Sequence, residues 1–148
     1  MDEPVPTASA IISYSEKLEE ESSRFYEKLA EKFSENKELF LGFAQQGRKN
    51  KVMITRTYQE TISDALEACF SFKGLKLPDH TIQTSATENA GYAGALKTAI
   101  ELEDKACRFY LDAAECGKTL LATIPRAFKK AAEERNKRRL KLETLLGK

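Results

Sequence analysis

The sequence has a single histidine, His80, and only three cysteines, and this scarcity removes several classes of metal site. Cys69, Cys107 and Cys116 are an odd number without close pair spacing, which argues against both a disulfide framework and a zinc knuckle. Free thiols of this kind are typical of a reducing compartment. His80 follows Leu-Pro-Asp, so we interpret it as a solvated loop residue, and one histidine cannot supply a site that needs two.

Long apolar runs and the common catalytic motifs are also missing. No window approaches the roughly 18 consecutive apolar residues of a membrane span. The acidic start, MDEPVPTASA, has no basic segment followed by an apolar one, so we expect no signal peptide. There is no glycine-rich phosphate loop, no His-Glu-x-x-His spacing and no nucleophile–base pair that the sequence places together. These absences favour a cytoplasmic location and indicate no catalytic or cofactor-binding residue.

The composition suits a single helical domain. The 148 residues are enough to bury a core, and 41% apolar residues, 32% charged residues and a net charge of +1 are typical of a soluble globular protein. We therefore expect one domain over residues 1–148.

A nine-residue stretch occurs twice, as LEEESSRFY and, 84 residues later, as LEDKACRFY. The copies share the leucine, the first glutamate and the closing Arg-Phe-Tyr, and such an internal repeat is informative about architecture. On a helix, Glu19 and Tyr26 fall on one face, as do Glu103 and Tyr110. Each copy is therefore predicted to turn one carboxylate and one phenol toward an apolar core, where a carboxylate needs a partner.

Apolar residues at helical spacing predict four helices joined as two hairpins. The connection between the first two helices is short and polar, which favours antiparallel neighbours. The roughly 20 residues between the second and third are enough to run the length of a bundle as a crossover. We predict an all-α, ferritin-like four-helix bundle with that crossover. Its segments are a loose arm over 1–9, helix 1 over 10–33, helix 2 over 37–70, the crossover over 71–91, helix 3 over 92–114 and helix 4 over 125–146.

An inward glutamate followed seven residues later by tyrosine, in a run ending Phe-Tyr, resembles the first and third helices of ferritin-like, rubrerythrin-type di-iron proteins. The resemblance extends, in helix order and crossover, over nearly the whole chain. It implies that Glu19 and Glu103 match the single glutamate of helices 1 and 3. It also implies that helices 2 and 4 should each supply a Glu-x-x-His pair around two metal ions.

The chain departs from this family at both Glu-x-x-His pairs. In the register that the resemblance implies, Gly47 and Asn50 stand at the pair of helix 2, and Arg135 and Arg138 at the pair of helix 4. Glycine offers no ligand, asparagine is a poor one, and arginine cannot deprotonate to become one. We therefore expect no metal and no cofactor.

Two arginines facing two carboxylates would neutralise them and satisfy many of their hydrogen bonds. We predict that Glu19, Glu103, Arg135 and Arg138 form a buried cluster in place of a metal centre. If iron or manganese is retained after all, the two glutamates are its ligands. In the alternative register, shifted by one residue, both arginines lie in solvent and the acidic run at 133–134 offers a substitute carboxylate.

Three further side chains share a face with the two glutamates. Tyr26 and Tyr110 are predicted to be core tyrosines whose hydroxyls bond to the cluster, with a redox role near a metal as the alternative. Cys107 lies one turn from Glu103, so it either lines the same site or is a small buried core residue.

Charge is uneven along the chain. Residues 125–148 contain nine basic and three acidic residues, a net charge of +6, which leaves −5 for the rest. A basic helix of this kind can bind nucleic acid or an acidic protein. It lacks the aromatic interleaving that base stacking needs, so we expect helix 4 to pair instead with the glutamate-rich outer face of helix 1.

Together these patterns favour a non-catalytic ferritin-like bundle that serves as a structural or interaction module, as a homodimer. The alternative from a different class is a rubrerythrin-like oxidoreductase that handles peroxide or oxygen with a reduced metal site. A third hypothesis is a binder of nucleic acid or acidic protein through helix 4.

Overall fold

The computed structural model describes residues 8–61, 91–116 and 123–147, and every regular element in these ranges is a helix. The elements are α1 (Ala8–Lys32), a 3-10 turn (Ser34–Asn36), α2 (Lys37–Thr61), α3 (Tyr92–Cys116) and α4 (Thr123–Leu146). The predicted all-α class is therefore confirmed over the described residues. In those ranges no helix combines the length and the hydropathy that a membrane span requires.

The predicted helix bounds differ from the described ones by two residues at most wherever both can be compared. α1 begins at Ala8, so its first two residues lie in the segment predicted as a loose arm over 1–9. Alanine is the strongest helix former, and Ala8 and Ala10 extend the first turn toward the N-terminus. The predicted end of helix 2 beyond residue 61, the crossover up to residue 90, His80 and Cys69 lie outside the described residues.

A short bend turns the chain between α1 and α2. Phe33 has an extended backbone (φ −125°, ψ 100°), which ends α1 before the 3-10 turn. Asn36 Nδ2 donates a hydrogen bond to the Tyr92 hydroxyl, and the Phe33 ring lies edge-on to the Tyr92 ring with 5.1 Å between centroids. The C-terminal end of α1 therefore lies beside the start of α3.

The helices pack mainly as two pairs, α1 with α2 and α3 with α4. Aromatic rings fill the first pair, where Tyr26 lies against Phe40 and Phe43 with centroid distances of 6.3 and 5.2 Å. Small side chains are frequent in the second pair, and small residues let helix axes approach closely. The buried alanines of α3 and α4 are Ala95, Ala99, Ala106, Ala113, Ala114, Ala127, Ala131 and Ala132.

The apolar core consists of two clusters, one toward each end of the helices. The first cluster includes Ile11, Phe109 and Phe128, and the second includes Phe25, Phe40 and Leu96. Along α1, α3 and α4, a short stretch of buried polar and charged residues separates the two clusters. These polar residues are Glu19, Ser22, Ser23, Glu103, Arg135 and Arg138.

Surface ion pairs join α1 to α2. Arg48 Nη2 lies 2.8 Å from Glu27 Oε1, and Lys51 Nζ lies 3.6 Å from Glu20 Oε2. The hydrogen bond from Arg48, which outweighs burial, lowers the pKa of Glu27. The prediction that these outer glutamates face helix 4 is wrong for both, because α2 is the principal neighbour of α1.

Candidate functional site

Glu19 and Glu103, the glutamates of the two repeat copies, lie side by side in the layer between the apolar clusters. Each comes from the middle of its helix, and the side chain of each is fully buried. A carboxylate in such a place is strongly disfavoured unless charged and hydrogen-bonding groups surround it. The neighbours of these two groups therefore define the site.

The Arg135 guanidinium of α4 bridges the two carboxylates. Its Nη2 lies 2.7 Å from Glu19 Oε2, and its Nη1 lies 3.0 and 3.1 Å from Glu103 Oε1 and Oε2. Nη2 also donates to Ser22 Oγ at 3.2 Å, and that hydroxyl donates in turn to the Leu18 carbonyl. One planar group thus supplies charge-assisted hydrogen bonds to both acids, and such bonds are shorter and stronger than those between neutral groups.

Arg135 stays charged in this environment. Burial by itself lowers the pKa of a guanidinium, but Glu103 and then Glu19 outweigh it and hold the pKa of Arg135 well above its usual value. A charged guanidinium between two carboxylates is a stable local arrangement as long as all three remain together.

The two tyrosines of the repeat bond crosswise. Tyr26 of α1 donates to Glu103 Oε1 of α3, and Tyr110 of α3 donates to Glu19 Oε1 of α1 at 2.6 Å. Burial, followed by the charge of the adjacent glutamate, raises the pKa of both phenols well above the usual value. They therefore remain protonated donors, and the crossed bonds require α1 and α3 to run in opposite directions.

Arg138, one turn beyond Arg135, makes fewer hydrogen bonds than Arg135 does. Its Nε donates to Gln46 Oε1 at 3.0 Å, its guanidinium carbon lies 5.6 Å from the centre of the Phe43 ring, and its Nη1 lies 3.6 Å from Glu103 Oε1. Only 1% of Arg138 is exposed, yet Nη1 and Nη2 have no hydrogen-bond acceptor among the described residues. Arg138 therefore adds charge to the cluster while keeping unused donors.

Gly47 and Asn50 occupy the α2 side of the same layer. A Cβ atom on Gly47 would lie 2.5 Å from Ser23 Oγ and 3.2 Å from Glu19 Oε2, so glycine is what allows α2 to approach α1 here. Ser23 Oγ donates to the Ala44 carbonyl at 2.8 Å and joins the two helices at this point. Asn50 is 6% exposed, and its Nδ2 has no hydrogen-bond partner among the described residues.

Cys107 lies at the edge of the site. It is half-buried and packs against the first apolar cluster. Burial is the main cause that raises the pKa of its thiol. A protonated, partly covered thiol is a weak nucleophile and a poor metal ligand.

The residues of this layer do not fit a di-iron centre. Both carboxylates are already bonded by a guanidinium and a phenol, and the four positions expected to carry Glu-x-x-His hold no carboxylate or imidazole. Among the described residues no group of three or more His, Cys, Asp or Glu side chains could hold a metal ion. The alternative register also fails, since Arg135 and Arg138 are buried and the 133–134 run is exposed or half-exposed.

Sequence reasoning assigned no role to the polar residues that complete the cluster. Ser22 and Ser23 lie inside the repeat, on the turn after Glu19, and this spacing is the only sequence signal for them. Gln46 is adjacent to Gly47, yet nothing in its neighbourhood indicates that it binds Arg138.

Comparisons of the chain with models of protein families, with curated proteins and with solved structures found no match.

Proposed function

We propose that this protein is a non-catalytic bundle of the ferritin-like class, in which a buried Glu/Arg cluster replaces a di-iron centre, and that it serves as a structural or interaction module. The observation that carries the proposal is the position of Arg135, whose guanidinium bridges Glu19 and Glu103 with contacts of 2.7 and 3.0 Å. A fixed cation stands where a metal ion would bridge the two acids.

Helix directions support the ferritin-like assignment. The crossed tyrosine bonds set α3 opposite to α1, and the short bend after Phe33 sets α2 opposite to α1. α2 and α3 then run the same way, and parallel helices need a long connection along the bundle. The crossover proposed over 71–91 would supply that connection.

The chemistry of the cluster supports a structural role. Its two phenols and the Arg135 guanidinium all have raised pKa values, so none of them exchanges a proton near neutral pH. A general acid or base needs a pKa near the operating pH. The formal charges of Glu19, Glu103, Arg135 and Arg138 cancel, which lowers the cost of burying them.

An oxidoreductase with a reduced metal site would have to displace Arg135 from both carboxylates. That displacement leaves a buried guanidinium without partners, at a cost of several kcal/mol. A nucleic-acid binder through α4 is also less well supported, since two of the basic residues in 125–148, Arg135 and Arg138, are withdrawn into the core. We propose that the partner is instead a second copy of the chain.

The decisive experiment measures metal content. Protein purified after growth with added iron and manganese should contain no stoichiometric metal by elemental analysis. A positive control restores the family's ligand pairs with Gly47→Glu, Asn50→His, Arg135→Glu and Arg138→His. It also includes Ser23→Ala, because Ser23 Oγ blocks a side chain at position 47. About two metal ions per wild-type chain, the number held by the di-iron family, would overturn the proposal and favour the oxidoreductase.

The dimer has its own measurement. Two of the exposed large apolar residues, Leu41 and Val52, lie about three turns apart on the outer side of α2. Light scattering after size-exclusion chromatography should give about twice the 16.7 kDa mass of one chain, and Val52→Glu should shift the protein toward the monomer. A wild-type monomer at all concentrations would remove the homodimer from the proposal.

A further inference from the structure

A groove with a volume of about 440 Å³ lies along α2, with Lys141 of α4 at one side. Leu39 and Phe43 form an apolar part of its lining, and Lys49 and Lys141 contribute two cationic side chains. This volume is in the range of sites that bind small molecules, which combine apolar walls with a few polar groups.

Two lining residues connect the groove to the buried cluster. Gln46 accepts the hydrogen bond from Arg138 Nε at 3.0 Å, and the Phe43 ring lies 5.6 Å from the Arg138 guanidinium carbon. Arg138 is therefore directly behind the groove lining, although only 1% of it is exposed. Gln46 is half-buried, and a rotation of its side chain would bring the groove into contact with the guanidinium.

Several buried donors of the cluster layer have no acceptor among the described residues. Nη1 and Nη2 of Arg138 lack hydrogen-bond partners among the described residues, and so do Arg135 Nε and Asn50 Nδ2. All four are donors, and buried donors without acceptors are costly. Nε and Nη2 of one guanidinium form a fork that matches the two oxygens of a carboxylate, and Gln46 occupies only the Nε donor.

The charge balance favours a single negative charge. The ionisable residues of the groove and the cluster carry four positive and three negative formal charges, a net charge of +1. A monoanion would bring this sum to zero, whereas a dianion would overshoot it. The positive residues are Lys49, Lys141, Arg135 and Arg138, and the negative ones are Glu19, Glu38 and Glu103.

We propose that the groove binds a small organic monocarboxylate. Its carboxylate takes the place of the Gln46 amide oxygen on Arg138 Nε and also accepts from Nη2, while Lys49 and Lys141 attract it from the surface. Its short apolar chain lies against Leu39 and Phe43. This inference adds a ligand to the structural role proposed above and does not depend on the metal analysis.

The test is a titration with sodium butyrate at constant ionic strength, followed by calorimetry and by the NMR signal of the Gln46 side-chain amide. We expect saturable binding with a dissociation constant on the order of 1 mM, which a ligand of this size can reach. Sodium phosphate and butylammonium chloride should produce no saturable change. Equal binding of phosphate and butyrate would overturn the assignment to a carboxylate with an apolar chain.

Variants at the two lysines locate the binding site without disturbing the cluster, and a variant at Arg138 tests the buried donor directly. Lys141→Met should weaken butyrate binding about two- to fivefold, and Lys49→Met with Lys141→Met about tenfold. Lys137→Met, an exposed position on α4 that does not line the groove, should leave binding unchanged. Arg138→Met should abolish binding if it folds, and the two lysine variants keep the test valid if it does not. Absence of saturable binding, or binding that survives loss of both lysines, would overturn the proposal.

Discussion

The two helical hairpins, α1–α2 and α3–α4, each have one copy of the nine-residue repeat in the first helix but surround its glutamate differently. In the first hairpin, α2 presents Gly47 to Glu19 and supplies no charge. In the second, α4 presents Arg135 to Glu103 at 3.0 Å and also reaches across to Glu19. The carboxylates are arranged almost symmetrically, whereas every cation of the cluster comes from one helix.

This difference shows that the partner of a buried carboxylate is decided outside the repeat, by the helix that faces it. The first copy compensates for the neutral face of α2 with two serines, Ser22 and Ser23, which accept from Arg135 and donate to α2 respectively. The second copy has Ala106 and Cys107 at the same places, and Glu103 bonds instead to Arg135 of α4 and to Tyr26 of α1. The hairpins are therefore interdependent, since neither satisfies its own glutamate without a group from the other.

The largest effect should come from removing the cation of the second hairpin. Arg135→Met leaves two buried carboxylates without their bridge, and losing one partner from a buried ion pair costs about 3–5 kcal/mol. The free energy of unfolding, measured by urea denaturation, should fall by that amount. Lys137→Met, an exposed change two residues away on α4, should stay within about 0.5 kcal/mol of wild type.

A second substitution in the Arg135→Met protein distinguishes the effect of lost charge balance from that of lost packing. Adding Glu19→Gln to Arg135→Met removes the one uncompensated charge, because Glu103 still has Arg138 at 3.6 Å, and should recover much of the stability. An Arg135→Met protein that unfolds at the wild-type urea concentration would contradict the bridging role of the guanidinium.

The next prediction concerns the first hairpin, in which the uncharged Gly47 of α2 faces Glu19. Gly47→Ala places a Cβ about 2.5 Å from Ser23 Oγ, so the serine must move and its bond to the Ala44 carbonyl is lost. Overpacking of this kind costs about 2 kcal/mol. Gly42 is the matched control, because a Cβ there meets nothing within 4 Å and Gly42→Ala should stabilise α2 by about 0.5–1 kcal/mol.

A double-mutant cycle identifies the cause of that loss. In a Ser23→Ala background the clashing oxygen is absent, so Gly47→Ala should cost much less than in the wild type. If the two backgrounds give the same loss by urea denaturation, the close approach of α2 and α1 at this point is not what requires glycine.

Much of the fold, and the charged members of the site, followed from sequence patterns. Helical periodicity gave bounds that agree with the structure to within two residues, the repeat named Glu19 and Glu103, and the register that the resemblance implies for helix 4 named Arg135 and Arg138. The crossed tyrosine bonds did not follow, because which phenol meets which acid depends on how α1 and α3 are aligned along their length. The outer glutamates were assigned to the wrong helix, since periodicity identifies an exposed face but not its neighbour.

The crossed hydrogen bonds offer the most symmetric test of the two hairpins. Tyr26→Phe and Tyr110→Phe each remove one donor from a carboxylate of the opposite hairpin, and each should cost about 1.5 kcal/mol. Similar losses for both would mean that the motif works alike in the two copies. A loss confined to Tyr110→Phe would sharpen the asymmetry, because Glu103 then relies on its two contacts with Arg135.

The smallest effect is a loss of stability at alkaline pH. Both buried tyrosines have folded-state pKa values well above 10, so above pH 10 the unfolded chain releases protons that the folded chain keeps. Stability must then fall as pH rises, by about 0.4 kcal/mol for each tyrosine at pH 10 and more steeply beyond. Tyr14, whose pKa is raised to about 12, adds the same pH dependence to the wild type and to every variant.

Urea denaturation of Tyr26→Phe and Tyr110→Phe should therefore show a shallower decline in the free energy of unfolding between pH 8 and 11 than that of the wild type. An unaltered slope would mean that these phenols ionise in the folded protein, which a hydrogen bond to a buried carboxylate forbids.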